Sequence, residues 1–310
     1  MKTPTGDHSM NEPFPQSGFP QEAAPAPVAV HAQDVVLKRG RHSTVLHGID
    51  LMIPHGAVMG LVGRNGAGKT SLMQCLVGLA VPQQGCCRLL GEDAMALSDA
   101  TKGRLGYVAQ QPDLFDWLTA DGHFRRFQDA YPNWDTTRAV VLAQRLGLPL
   151  YTLARSLSGG DQQKLSVVLA LAHDPDLLIL DEPVSSLDPI TRRDFMRSLF
   201  ERRWSTQGPR TVLISSHLLS DLERVVSHVA FMRGGRIQLV DEWDALTEHL
   251  RLLELPAGHS ALPLNVVHRR RVGELERVVF DTRVAHAPPA AGRALTLDEL
   301  FLELNDEAAA

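Results

Sequence analysis

The sequence predicts an α/β fold in which a parallel sheet is covered by helices on both faces. Short apolar runs alternate with helical stretches from about residue 35 to 240, and this alternation favours parallel strands joined by helices. A glycine-rich loop separates one apolar run from a helical stretch, as in phosphate-binding loops. Another apolar run ends in two carboxylates, where open α/β sheets place their ligand groups.

The elements follow in order along the chain. Residues 1–31 are rich in Pro, Ala, Gln and Glu, and we expect a disordered leader there. The main predicted domain spans 32–242. From 243 to 310, apolar runs separated by Pro- and Gly-containing turns precede a closing helical segment, which indicates an accessory segment. The clearest predicted strands of the main domain are AVMGLV (57–62), LLIL (177–180), TVLIS (211–215) and HVAFM (228–232).

Composition excludes several classes of protein. The formal net charge of the 310 residues is −5, so nucleic acid is not the default partner. We interpret the basic run 269–271 as the solvated end of a strand or hairpin. No apolar run reaches the roughly 18 residues of a membrane span, and no secretory signal is visible, so we expect a cytoplasmic chain. The cysteines lack disulfide-framework and zinc-ligand spacing, and Cys75 fits an apolar helix face; they are Cys75, Cys86 and Cys87.

The loop GRNGAGKTS at 63–71 matches the phosphate-loop pattern G-x-x-x-x-G-K-[ST]. Its glycines allow backbone N–H groups to surround phosphates, and the following helix adds its positive dipole end. Lys69 would reach the β- and γ-phosphates, and Thr70 would offer its hydroxyl to magnesium. The predicted nucleotide-binding residues are Gly63, Arg64, Asn65, Gly66, Ala67, Gly68, Lys69, Thr70 and Ser71.

LLILDEP at 177–183 predicts a buried strand that ends in two carboxylates. Asp181 would bind magnesium through its oxygens, which suit a hard cation. Glu182 would act as a general base toward the attacking water. His217 follows the neighbouring predicted strand TVLIS, which places it near the expected γ-phosphate.

SLSGGDQQK at 156–164 opens a long apolar helical stretch with two adjacent glycines. Ser158 and Asp161 have the spacing of a capping box, so a well-capped helix start is one interpretation. The other is a site where bare backbone N–H groups contact an anion. Local sequence does not decide between them.

The segment 115–134 holds a large share of the aromatic residues in an aromatic-poor chain. The core of a small helical insertion and a docking surface are both consistent with it, and the two are compatible. The aromatic residues are Phe115, Trp117, Phe124, Phe127, Tyr131 and Trp134.

Taken in order, these motifs resemble the nucleotide-binding subunit of an ATP-binding cassette (ABC) transporter over about residues 33–240. They are the loop at 63–71, Gln110, LSGGD at 157–161, the carboxylates 181–182, SSLDP at 185–189 and His217. The resemblance implies a P-loop NTPase of ABC type with a helical signature subdomain (about 111–172), an antiparallel β portion and a small C-terminal appended subdomain. YPNWD at 131–135 and LTLDELFLEL at 295–304 also resemble bacterial ABC exporters.

The resemblance implies a role for each matching residue. Glu182, His217 and Gln110 would be catalytic, and Thr70, Gln110 and Asp181 would bind Mg²⁺. Each ATP would lie between the 63–71 loop of one cassette and the signature of a second cassette, identical or different. The signature contacts would come from Ser158, Gly159 and Gly160, and Asp188 would lie at the dimer interface and couple the two sites.

The implied partner is an integral membrane subunit that docks near residues 110–135. Nucleic acid is not expected as a partner. The chain would then lie peripherally on the inner face of the cell membrane. The leading function is ATP hydrolysis that energises transport, with export favoured by the exporter-like segments. The alternatives are a soluble cassette ATPase acting on nucleic acid or ribosomes, and a regulatory ATP-binding module.

Three positions depart from the family pattern. VVLKRGRHSTVL at 35–46 contains no aromatic residue to stack on adenine, so Arg39 or His42 would stack instead. Asp161 stands where glutamine is common, and we expect it to turn back toward the helix N-terminus. Ser186 replaces a common glycine.

Overall fold

The computed structural model describes residues 27–40, 43–184, 209–216, 222–257, 265–283 and 292–305, with positions 192, 195, 196 and 199. Its strands are β1 (Val28–Arg39), β2 (Ser43–Pro54), β3 (Val58–Val62), β4 (Gln84–Leu89), β5 (Glu92–Asp93), β6 (Leu105–Val108), β7 (Leu177–Asp181), β8 (Thr211–Ser215), β9 (His228–Arg233), β10 (Arg236–Glu242), β11 (Leu250–Pro256), β12 (Val266–Val272), β13 (Leu275–Asp281) and β14 (Arg293–Ala294). Its α-helices are α1 (Lys69–Leu76), α2 (Asp99–Lys102), α3 (Ala120–Ala130), α4 (Thr136–Arg145), α5 (Gly159–Leu171), α6 (Trp243–His249) and α7 (Leu297–Asn305).

The central sheet has the strand order β10-β9-β3-β8-β7-β6. Neighbouring strands from β9 to β6 run parallel, and β10 is antiparallel to β9. Every residue of β7 and β8 is buried, as expected for strands covered on both faces. The predicted α/β fold is therefore confirmed, and the apolar runs at 57–62, 177–180, 211–215 and 228–232 are its strands.

A second, antiparallel sheet has the order β2-β1-β4-β5. The expected leader is too long at its C-terminal end, because residues 28–31 belong to β1. Val30 pairs with Ile53 on one side and with Leu89 on the other, and it is fully buried. These residues are ordered by partners that lie far along the chain. Residues 1–26 lie outside the described part.

The region 111–172 contains the helices α3, α4 and α5. Each has a side-chain N-cap, because Thr119, Asp135 and Ser158 each accept a hydrogen bond from a backbone N–H in the first turn. Phe124 of α3 is buried and packs against the indole of Trp134, with ring centroids 6.1 Å apart. Part of the aromatic segment thus forms the core of this helical region.

The C-terminal segment contains α6, a four-stranded antiparallel sheet in the order β12-β13-β11-β14, and α7. The basic run 269–271 lies on β12, at the hairpin to β13. The interpretation of this run as solvated is wrong for its middle residue. Arg270 forms an ion pair with Glu303 of α7. The side chain of Glu303 is only 2% exposed, so the guanidinium that pairs with it is also withdrawn from solvent.

The described cysteines are free, and Cys75 is fully buried in the core as predicted. Burial raises the pKa of the Cys75 thiol to about 11. Among the described helices, none is both long enough and apolar enough to cross a membrane.

Candidate functional site

A pocket of about 250 Å³ lies where β3 leads into α1. Its wall is formed by the predicted phosphate loop from Asn65 to Ser71, together with residues from three other parts of the chain. Open α/β sheets place ligands at this end of their strands. The residues from elsewhere are Arg39, Val45, Gln110 and Glu182.

The loop backbone needs glycine for two different reasons. Gly66 and Gly68 have φ values of +82° and +105°, which residues with a Cβ rarely adopt. At Gly63 the limit is space, because a Cβ there would lie 2.4 Å from the carbonyl oxygen of Met232. The loop is therefore held close against β9, and its N–H groups precede the N-terminus of α1.

Lys69 lies at the base of the pocket and is 6% exposed. Its ammonium donates to the carbonyl oxygen of Gly63 at 2.7 Å and lies 3.8 Å from Oε1 of Glu182. Burial lowers the pKa of Lys69, and the neighbouring carboxylates of Glu182 and Asp181 oppose that effect. A buried ammonium next to a phosphate-sized space is a strong anion-binding group.

Ser215, which sequence reasoning missed, links the carboxylate of Asp181 to the backbone of Glu182. The Ser215 hydroxyl donates to Oδ1 of Asp181 at 2.7 Å and accepts from the backbone N–H of Glu182 at 2.9 Å. Glu182 has a φ of +50°, an uncommon backbone conformation for a residue with a Cβ. A small hydroxyl residue at the end of TVLIS, next to the strand that ends in Asp181, was the available signal.

Oxygen atoms suited to a hard cation converge beside the loop. The hydroxyl of Thr70 donates to Oε1 of Gln110 at 3.4 Å. Oδ2 of Asp181 is buried and has no hydrogen-bond partner among the described residues. Carboxylate, hydroxyl and amide oxygens are ligands that Mg²⁺ accepts, so the donor set fits this ion.

Arg39 and Val45 also line the pocket. Nη2 of Arg39 donates to Oε1 of Gln74 at 2.7 Å, which orients the guanidinium. Stacking of Arg39 on a nucleobase stays a prediction. His42, the other candidate, lies outside the described residues.

The start of α5 lies elsewhere, since Ser158, Gly159 and Gly160 are not among the described residues that line the pocket. The Ser158 hydroxyl accepts from the N–H of Asp161 at 3.1 Å and donates to Oδ2 of Asp161 at 2.8 Å. Partial burial disfavours the charge on Asp161, but hydrogen bonds from Lys164 and Ser158 outweigh it and lower its pKa. Asp161 therefore turns back to the helix start as expected.

The structure thus brings loop residues 65–71, Gln110 and Glu182 together at one pocket, holds Asp181 next to Glu182 through Ser215, and leaves the signature stretch apart. The expected contacts from Asp188 and His217, and the replacement at Ser186, lie outside the described residues. Arg64 is exposed in the loop but does not line the pocket among the described residues.

Comparison with known proteins adds independent information. Residues 46–185 match the profile of the family described as ABC transporter. The bacitracin transport ATP-binding protein BcrA of Enterococcus faecalis is 32% identical over 216 residues, which cover 69% of this chain and 69% of that protein. ATP-binding cassette sub-family A member 7 of Mus musculus is 31% identical over 276 residues. That match covers 86% of this chain, which spans only 13% of the mouse protein.

Among solved structures, the dimeric structure of MJ0796, a bacterial ABC transporter cassette, matches with a TM-score of 0.61. The match covers 69% of this chain and 98% of that one, with 21% sequence identity. It supports the fold described above.

Close packing at Gly63 leads to a testable prediction. In a Gly63→Ala variant, the new methyl group would displace the loop or Met232, and overpacking costs about 1–3 kcal/mol. We expect the affinity for a nucleoside triphosphate to fall about tenfold, measured by titration with a fluorescent nucleotide.

Gly147→Ala is the matched control. Gly147 has a positive φ, +62°, unlike Gly63, and a Cβ there meets nothing within 4 Å. We expect this variant to lose thermal stability without losing nucleotide affinity. Equal affinities of the Gly63→Ala variant and the wild type would contradict the structural account of the loop.

Proposed function

The chain belongs to the ABC transporter family, and from this premise we propose that it binds and hydrolyses ATP to energise transport through a separate membrane subunit. The observation that carries the proposal is the convergence on one pocket of the phosphate loop, Gln110 and Glu182, with Asp181 linked to the backbone of Glu182 through Ser215. These groups come from distant parts of the sequence, and each has a place in phosphoryl transfer to water.

The geometry suits electrostatic catalysis. The loop N–H groups and Lys69 would bind the phosphates and stabilise the charge that develops on them during transfer. Glu182 would accept a proton from the water whose oxygen attacks the terminal phosphorus, and ADP would leave with the electron pair of the broken P–O bond. Asp181, Thr70 and Gln110 would hold Mg²⁺, which when bound neutralises charge on the phosphate oxygens.

The signature stretch supports the proposal that two cassettes act together, as identical or different copies. Ser158 and Gly159 are exposed, and a Cβ on Gly159 would meet nothing within 4 Å. The start of α5 therefore presents open N–H groups away from the pocket of its own chain. A triphosphate bound by a second cassette is the anion that we propose for it.

The aromatic segment supports a docking role for the proposed membrane subunit. A groove of about 560 Å³ runs between α1, β6 and the helical region. Trp117 and Phe115 are 68% and 41% exposed beside that region, and large exposed aromatics are typical of interfaces. The side-chain amide of Gln163 in α5 donates to the backbone carbonyl of Ala109 at 3.4 Å. This hydrogen bond links the segment at Gln110 to α5, the helix that begins in the signature stretch. The groove between α1, β6 and the helical region is lined by residues that include Leu79, Tyr107, Leu114, Phe127, Tyr131 and His173.

Export as the direction of transport stays a proposal that rests on the exporter-like segments at 131–135 and 295–304. Peripheral attachment to the inner membrane face follows only from the proposed membrane subunit. The nucleic-acid alternative gains no support from the basic run, because Arg269 pairs with Glu276 and Arg270 pairs with Glu303.

Replacing the proposed base gives a direct test of catalysis. We expect Glu182→Gln to leave ATP affinity within about threefold of wild type while hydrolysis falls about 100-fold or more, the usual contribution of a general base. Binding by fluorescence titration and phosphate release measure the two quantities. Glu248→Gln, at an exposed carboxylate of α6, should change neither. Undiminished hydrolysis in Glu182→Gln would remove Glu182 from this role.

A charge at the start of α5 tests the paired arrangement. In the Glu182→Gln background, we expect Gly159→Asp to abolish ATP-dependent dimerisation, because a carboxylate there repels the triphosphate of the partner. The folded chain should tolerate it, since acidic residues stabilise helix N-termini. Light scattering with and without ATP measures the mass, and Gly159→Ala controls for loss of the glycine. ATP-dependent dimers of Gly159→Asp would contradict the model of two shared sites.

The docking surface is tested with Trp117→Ala. We expect the isolated variant to hydrolyse ATP like the wild type but to lose the multi-span membrane protein that copurifies with the wild-type chain, identified by mass spectrometry. Met52→Ala, at a β2 residue that is 60% exposed, is the control and should retain the partner. Equal recovery with both variants would place the docking surface elsewhere.

A further inference from the structure

The turn between β9 and β10 lies directly against the phosphate loop. The N–H of Gly235 donates to the carbonyl oxygen of Ala67 at 2.9 Å, and the N–H of His47 donates to the carbonyl oxygen of Gly235 at 2.9 Å. Gly234 and Gly235 have φ values of +52° and +71°, which identifies a tight two-residue hairpin turn. One residue, Gly235, therefore links the phosphate loop to the strand β2.

The contact leaves no room for adjustment. A Cβ on Gly235 would lie 2.1 Å from the carbonyl oxygen of Val45, which belongs to the wall of the pocket. On the other side of the loop, a Cβ on Gly63 would lie 2.4 Å from the carbonyl oxygen of Met232. Because backbone packs against backbone on both sides, a shift of the turn must shift the loop.

The C-terminal helix α7 is bound to the same turn. Nη1 of Arg233, the residue before Gly234, donates to the carbonyl oxygen of Leu304 at 3.3 Å. Leu304 is in the last turn of α7, where carbonyl groups lack partners within the helix. A guanidinium at the negative end of the helix dipole is electrostatically favourable.

Helix α7 is itself firmly anchored. Nε and Nη2 of Arg270 each donate to the carboxylate of Glu303 at 3.1 Å, and Nη1 of Arg277 lies 2.7 Å from it. The apolar face of α7 is buried through Leu297, Leu300 and Leu304. The helix therefore offers Arg233 a fixed acceptor more than 60 residues further along the chain.

We infer that α7 supports the phosphate loop from outside the site, with Arg233 as the positioning residue that transmits this support. The inference rests on the proposed function only in naming ATP as the ligand whose binding is affected. It gives the accessory segment a role, since the hydrogen bond to Leu304 holds the 233–236 turn in the conformation that the loop requires.

The test compares Arg233→Met, which keeps an aliphatic stem without a donor, with Arg233→Lys, which keeps a charged donor. We expect Arg233→Met to raise the KM for ATP about fivefold with kcat within about twofold, a change of the size that losing a charged hydrogen bond permits. Arg233→Lys should restore the KM to within about twofold of wild type. Hydrogen exchange of residues 63–70 in the nucleotide-free chain should be faster only in Arg233→Met.

Arg293→Ala is the matched control, because it releases Glu299 on the same helix without touching the turn. An unchanged KM and unchanged exchange in Arg233→Met would overturn the inference, and so would equal effects from Arg293→Ala. Since exchange is measured without nucleotide, absence of ATP hydrolysis in the wild type would count against the proposed function alone. The exchange result would still decide the role of Arg233.

Discussion

A Cβ added to Gly63 would lie 2.4 Å from the carbonyl oxygen of Met232, and a Cβ added to Gly235 would lie 2.1 Å from the carbonyl oxygen of Val45. Backbone is therefore packed on backbone from both sides of the phosphate loop. Because β9 and β2 are held in two different sheets, this packing restricts the path of the loop. The protein itself therefore positions the loop, which is the preorganisation that electrostatic catalysis needs.

This fixed loop places an ammonium among carboxylates in a nearly dry site. Lys69 and Glu182 are 6% and 5% exposed, and Asp181 is fully buried. Charges removed from water are costly unless they are paired and hydrogen-bonded. Here the Ser215 hydroxyl donates to the carboxylate of Asp181 and accepts from the backbone N–H of Glu182, and the carbonyl of Gly63 accepts from the ammonium. Oδ2 of Asp181 has no hydrogen-bond partner among the described residues.

The helical region serves the site from a distance. It buries Phe124 and presents Trp117 at its surface, so the core interpretation of the aromatic segment holds for Phe124, and docking through Trp117 stays a proposal. It also carries the start of α5, which its own chain leaves exposed. Gln163 connects that helix to the segment before Gln110 through one hydrogen bond.

The sequence by itself determined the parts whose chemistry is local. The loop at 63–71, the strand ending in Asp181 and the cap from Ser158 to Asp161 depend on residues a few positions apart, and short-range geometry is enough to predict them. Only the tertiary structure decided where β1 begins, that Ser215 links the Asp181 carboxylate to the backbone of Glu182, and that Arg270 is neutralised by Glu303. It also decided that Arg233 meets the end of α7. Each of those outcomes depends on a partner that the fold brings close, and the separation of two residues along the chain does not predict their separation in space.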